Sequence, residues 1–199
     1  MTSTGFTDPR PVYVRATEQA AALIKTVRPE QLTGPTPCSE FDVRALLGHV
    51  VGGTRRIAVV GEGGDGMAVD PSTEGVPDDG WAAAYDEVRV RVLKAWESDE
   101  RMTSAVTVPW GQVPGHAALS GYVMEIVTHT WDLYEGLGQP VELDPELAEF
   151  ALATARQVLS DDRPRDEATP FAGRREAAEG ADVYEQLAAW LGRAPLSRP

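Results

Sequence analysis

The sequence predicts an all-α protein: an antiparallel helix bundle with a short extended arm and a small C-terminal helical extension. Three observations predict it. Apolar residues recur at helical spacing over several long segments. Stretches rich in Gly, Pro, Asp and Ser separate those segments. Alternation of apolar and polar residues is confined to one short run, AVTVPWG at 105–111. The 199 residues suit a single domain, with the bundle over about 9–138 and the extension over about 139–199.

The first helix is expected over about Pro11–Val27, where Tyr13, Ala16, Ala20, Ile24 and Val27 form one stripe and Pro29 stops it. In the second, Ser39 and Asp42 give a capping-box-like start. Leu46, His49 or Val50, Gly53, Ile57 and Val60 then trace its apolar stripe. Gly48, Gly52 and Gly53 lie within this helix, each costing about 1 kcal/mol relative to alanine. Such a cost is offset only if something approaches that backbone closely. Residues 62–80 read as a loop. A third helix from near Asp79 carries Trp81, Tyr85, Val88, Val92 and Trp96, residues whose spacing reads as core packing.

Ala105–Gly111, with Pro109, reads as a short strand or hairpin arm. A fourth helix follows Pro114, over about His116–Leu137, and ends at Gly138. Asp144 and Pro145 begin a fifth, through Leu159. Residues 160–180 are expected to be irregular, after which Asp182 and Glu185 cap a short helix with Val183, Leu187, Trp190 and Leu191.

The net charge of −13 opposes binding to nucleic-acid phosphates and to anionic membrane surfaces. A lone cysteine, Cys38, admits no intrachain disulfide and fits a reducing compartment. The N-terminus is polar and no run approaches the ~20 apolar residues of a membrane span, so the cytoplasm is the expected location. Lysine occurs only at 25 and 94 while Arg, Ala and Gly abound, a bias of GC-rich genomes.

The sharpest chemical signal is MEIVTHTWD. Glu125 and His129, four apart, project from one face of the fourth helix, and Asp132 shares that face. With His49 from the second helix they offer two nitrogens and one oxygen, a set that leaves a fourth metal position open. A Glu–His hydrogen-bonded pair in the core fits the same spacing. Asp132 reads either as a carboxylate that orients a ligand histidine or as an acid on the pocket rim. Arg56, seven beyond His49, reads as a contact for an anionic substrate or as a solvated arginine, and Trp110 as a residue of the pocket mouth. These three are the candidate catalytic residues. His116, nine before Glu125, falls on the opposite side of its helix. Cys38 lies roughly 15 Å from His49 along helical geometry and reads as a structural thiol.

TPCSEFDVRALLGHVVGG resembles the segment of mycothiol-dependent maleylpyruvate isomerase-like proteins that supplies their first metal histidine. VPWGQVPGHAALSGYVMEIVTHTWDL resembles their last bundle helix with its Glu-x-x-x-His pair, and the resemblance extends to the terminal YEQLAAWLGR. It implies a member of the DinB-like metalloprotein superfamily: a four-helix bundle with a divalent metal on His49, Glu125 and His129. Zinc is the usual ion, and nickel, iron or manganese also suit mixed nitrogen and oxygen donors. It further implies a low-molecular-weight thiol, mycothiol, in S-transfer or isomerisation of a small molecule, with the thiol held as thiolate on the metal. Only about 60 residues follow the metal helix, whereas the isomerase itself carries a larger C-terminal domain; the chain resembles the family's short members. Three readings stand: the thiol-dependent transferase or isomerase, a metal-dependent hydrolase, lyase or rearrangement enzyme without thiol, and a non-catalytic metal-binding module. A homodimer through the bundle faces is compatible with each.

Overall fold

The computed structural model describes residues 7–159 and 171–197. Seven helices and one hairpin follow in order among them: α1 Arg10–Ile24, α2 Val43–Gly61, α3 Trp81–Ala95, α4 Asp99–Thr103, β1 Ala105–Val108, β2 Gly111–Pro114, α5 Gly115–Leu137, α6 Pro145–Val158 and α7 Val183–Trp190. The expected all-α, DinB-like bundle is what forms. α2 packs against α3 and α5, and α1 against α5 and α3, so four long helices close on one core. α6 covers the outside of α5, and α7 covers α6. No helix among the described residues is long and apolar enough to cross a membrane.

The core is aromatic at its centre. Tyr13, Tyr85, Tyr122 and Trp96, from α1, α3, α5 and the end of α3, are almost wholly buried. Each such burial contributes roughly 1.5–3 kcal/mol. The Trp96 indole donates to the Ile57 carbonyl at 3.0 Å. Gly61 makes room for that ring, since a Cβ there would stand 2.6 Å from Nε1. Trp81 is buried as its spacing predicts, whereas Trp190 is half-buried beneath the Arg174 guanidinium.

The glycines of α2 have their compensation in the loop that follows. A Cβ on Gly48 would meet the Thr73 carbonyl at 2.7 Å, and one on Gly52 would meet the Ser72 backbone at 2.6 Å. The Gly48 carbonyl accepts the Thr73 N–H at 3.0 Å. The chain after α2 therefore doubles back as a strap laid on the helix. Gly53 differs: its nearest neighbour is Glu125 Oε1, at 3.6 Å from an added Cβ.

Several boundaries differ from expectation. α1 stops at Ile24, and Thr26 and Val27 bond three residues back in a closing turn. The α2 cap is Asp42, which accepts from the Ala45 N–H, and Ser39 lies outside the helix. Ser98 caps the unforeseen α4, accepting from Arg101 N–H. The arm is a complete two-stranded hairpin with Val108 opposite Gly111, and Trp110 sits in its turn. α5 begins at Gly115, where a Cβ would stand 1.9 Å from the Arg101 carbonyl, and ends in left-handed Gly138 at φ 61°. α6 ends at Val158, one residue early. Of the segment expected to be irregular, 160–170 lie outside the described residues and 171–180 form no helix or strand.

Candidate metal centre

α2 and α5 face one another, and their facing residues bring the three sequence-predicted donors together. One ligand atom each from His49, Glu125 and His129 lie within 4.8 Å of one another. The His49 and His129 rings meet edge to face at 4.8 Å between centroids. Phe41 stacks on the His49 ring at 5.1 Å between centroids. Val50, Ile57 and Ile126 supply apolar walls to the hollow between the donors.

The donors do not satisfy one another. His49 Nε2 lies 3.7 Å from Glu125 Oε1, too far for a hydrogen bond. Among the described residues Glu125 and His129 share no hydrogen bond, so the core Glu–His pair weighed above does not form. Three polar groups converge on a small hollow and leave it as their common neighbour.

His129 is fixed from behind. Its Nδ1 lies 3.0 Å from Asp132 Oδ2, one turn along the helix. Asp132 has no exposed surface, and Arg193 Nε donates to both its oxygens at 2.9 Å. A carboxylate paired with a guanidinium accepts, so Nδ1 carries the proton and donates. The Nε2 lone pair then faces the hollow, the arrangement by which outer carboxylates orient ligand histidines.

Arg193 went unpredicted, and a local motif aims it. Gly192, in left-handed conformation at φ 79°, follows α7. Gly192 N–H bonds to the Ala189 carbonyl and Arg193 N–H to the Ala188 carbonyl, a Schellman closure. The turn sends the Arg193 side chain inward to Asp132, with Phe171 against its guanidinium. The sequence marked only the turn, a glycine after a capped helix and then an arginine; nothing in the spacing tied that arginine to Asp132.

Charge follows the same geometry. Burial, helped by the nearby His129 and Arg56, pulls His49 down to about 3, so its imidazole is neutral at neutral pH. Burial pushes the Glu125 carboxyl above the usual range, against the opposite pull of His129 and Arg56. Burial raises the Cys38 thiol as well, with Arg193 opposing it. Cys38 is half-buried and is not among the converging donors.

The other candidates lie at varied distance. Asp132 is behind His129 rather than on the rim. Arg56 is half-buried, donating from Nε and Nη2 to the Val69 carbonyl of the strap. Trp110 is 46% exposed and packs over Gly121 and the Tyr122 ring, outside the hollow's lining. His116 stands in the first turn of α5, away from the cluster.

Comparison with known proteins gives the family of the chain. The profile of the mycothiol maleylpyruvate isomerase N-terminal domain matches residues 13–134, which carry all three donors. Uncharacterized proteins of two Mycobacterium tuberculosis strains, CDC 1551 / Oshkosh and ATCC 25618 / H37Rv, are each 34% identical over 186 residues. Those alignments cover 94% of this chain and 98% of each relative. No solved structure matches. The family match stops short of α6, α7 and Arg193, while the alignments with the two relatives cover most of the chain. With its bundle, its facing donors and these matches, the chain belongs to the mycothiol maleylpyruvate isomerase N-terminal domain family.

Proposed function

We propose that the chain holds one divalent metal ion, zinc first, on His49, Glu125 and His129. With a low-molecular-weight thiol, mycothiol, it carries out S-transfer or isomerisation on a small molecule. The observation that supports this most is the unsatisfied convergence of the three donors, with His129 Nδ1 already committed to Asp132. Two imidazole nitrogens and one carboxylate oxygen suit a divalent ion and leave room for one exchangeable ligand. When bound, such an ion supplies a Lewis acid able to keep a coordinated thiol deprotonated at neutral pH.

The chain's own residues do the rest. Asp132 and Arg193 hold the His129 ring and tautomer. Phe41 limits rotation of His49. Val50, Ile57 and Ile126 give the hollow an apolar wall around the three donors.

Elemental mass spectrometry on protein purified without chelator or histidine tag tests the metal. About one equivalent is expected in the parent, and none in His49→Ala or His129→Ala. A parent that stays empty after incubation with zinc overturns the reading. Mycothiol added to the cobalt-substituted protein is then expected to change its visible spectrum. An unchanged spectrum, or turnover in thiol-free buffer, moves the function to a thiol-independent reaction.

A further inference from the structure

A second cavity lies apart from the donor cluster. Its volume is about 390 Å³, and it sits where the start of α1, the end of α3 and the early part of α5 meet. That volume falls in the range of small-molecule sites. None of its lining residues belongs to the hollow between the donors. Leu119, which α5 contributes, precedes Glu125 by six residues and lies about a third of a turn around the helix from it. The floor is apolar and aromatic. Tyr13, Trp96 and Leu119 are each at most 2% exposed, with Val14 and Leu93 half-buried beside them. Trp96 is a fixed wall, because its indole N–H is held by the Ile57 carbonyl and Gly61 packs against the same edge.

The mouth of the cavity is acidic. Arg10 is the cation of the lining, and carboxylates already surround it. Its Nε and Nη2 donate to Asp8 at 2.9 Å and 2.7 Å, and Nη2 donates also to Asp99 at 2.7 Å. Its Nη1 donates to the Glu97 carbonyl at 2.6 Å, which leaves one N–H of the five. The Glu97 carboxylate lines the mouth and has no ion-pair partner among the described residues. Asp8, Glu97 and Asp99 thus outnumber the one guanidinium, in a chain whose net charge is −13. The C-terminus of α3 and the N-terminus of α1 meet here with opposite dipoles, so side-chain charge sets the sign.

We propose that this cavity binds a small organic ammonium ion, its apolar body on Tyr13, Trp96 and Leu119 and its charge toward Glu97. An anion would meet the excess of carboxylates and a single spare N–H. A neutral apolar molecule would cover the floor and leave the Glu97 charge unused. An ammonium ion on an apolar body suits both surfaces, because aromatic rings and carboxylates each attract it. The negative field of the whole chain draws the same class of ligand toward the mouth. The inference stands apart from the metal-and-thiol reading, since the two sites share no lining residue.

NMR titration of the full chain after incubation with zinc, followed at the Trp96 indole N–H, tests it with two probes of one shape, 2-phenylethylammonium and 2-phenylethanol. The ammonium is expected to move the Trp96 signal and to bind about tenfold tighter than the alcohol. Glu97→Gln, a change at an exposed position, is expected to cut that preference to about threefold. Val14→Trp, which fills the cavity, is expected to weaken both probes about tenfold or more; should it not fold, Glu97→Gln decides. Binding in His49→Ala is expected to match the parent. Equal binding of ammonium and alcohol overturns the proposal, as does a full preference kept in Glu97→Gln or undiminished binding in a folded Val14→Trp. So does saturation that leaves Trp96 unmoved or is lost in His49→Ala, which would place the amine at the donor cluster. Absence of any saturable binding up to about 20 mM ammonium overturns it too. None of these outcomes bears on the metal content that tests the donor cluster.

Discussion

At the scale of single residues, the chain His129–Asp132–Arg193 carries the clearest consequences. Asp132→Asn keeps the shape but removes the obligate acceptor for Nδ1–H. Metal affinity is expected to fall about 10- to 100-fold, read by competition with a chromophoric chelator. Unchanged affinity would mean that Asp132 does not orient His129. Arg193→Met leaves a fully buried carboxylate without its cation. A loss of roughly 3–5 kcal/mol in urea denaturation is expected, and a loss below about 1 kcal/mol would show the pair to be dispensable. Residue-level legibility was uneven for a physical reason. Glu125, His129 and Asp132 are related by helical spacing, which a sequence displays directly. The Asp132–Arg193 bond joins residues 61 apart, and no periodicity encodes such a contact. The hydroxyl of Tyr122 has no partner among the described residues, which becomes visible only when its neighbours are known.

At the scale of elements, α2 and its strap illustrate how local rules and packing combine. The three mid-helix glycines announced a close approach, and the backbone at Ser72 and Thr73 is what approaches Gly48 and Gly52. Gly52→Val is expected to lower stability by about 1–3 kcal/mol, because its Cβ meets backbone that cannot yield. Gly53→Ala meets only a side-chain oxygen at ordinary contact distance and is expected to gain up to about 1 kcal/mol from helix propensity. Thermal melts of the two variants check the order; a Gly52→Val protein as stable as Gly53→Ala would refute the strap. The long helices were legible because each carries an apolar stripe over three or more turns. α4 was missed because DERMT is five residues long and mostly polar, so only its Ser98 cap marks it. The second strand was missed because Gly-Gln-Val-Pro has little β-propensity of its own and forms by pairing with β1.

At the scale of the whole molecule, the donor cluster couples metal, pH and stability. Metal that binds only the folded chain stabilises it, by about 2.7 kcal/mol when free metal is 100-fold above its dissociation constant. Zinc should therefore raise the melting temperature of the parent and leave that of His49→Ala unmoved; an equal rise in both would place the effect elsewhere. In metal-free protein, His49 is held near 3 when folded against about 6.5 when unfolded. Its folded pKa is the lower, so its contribution is complete above about 6.5 and is lost as pH falls toward 3. Glu125, raised by burial, works in the opposite sense at the acid end. Denaturation at pH 7.5 and 5.5 is expected to show a loss in the metal-free parent that shrinks in His49→Gln; an equal loss in both would assign it to other groups. The placement of Glu125, His129 and Asp132 on one helix has a further consequence. Those three travel together whenever α5 shifts as a unit, so such a shift keeps their mutual spacing. The one span free to vary is the gap to His49 on α2. Choice among ions of different radius is thus governed by a single interhelical dimension, adjustable through seam residues such as Val50 and Ile126 without touching any ligand.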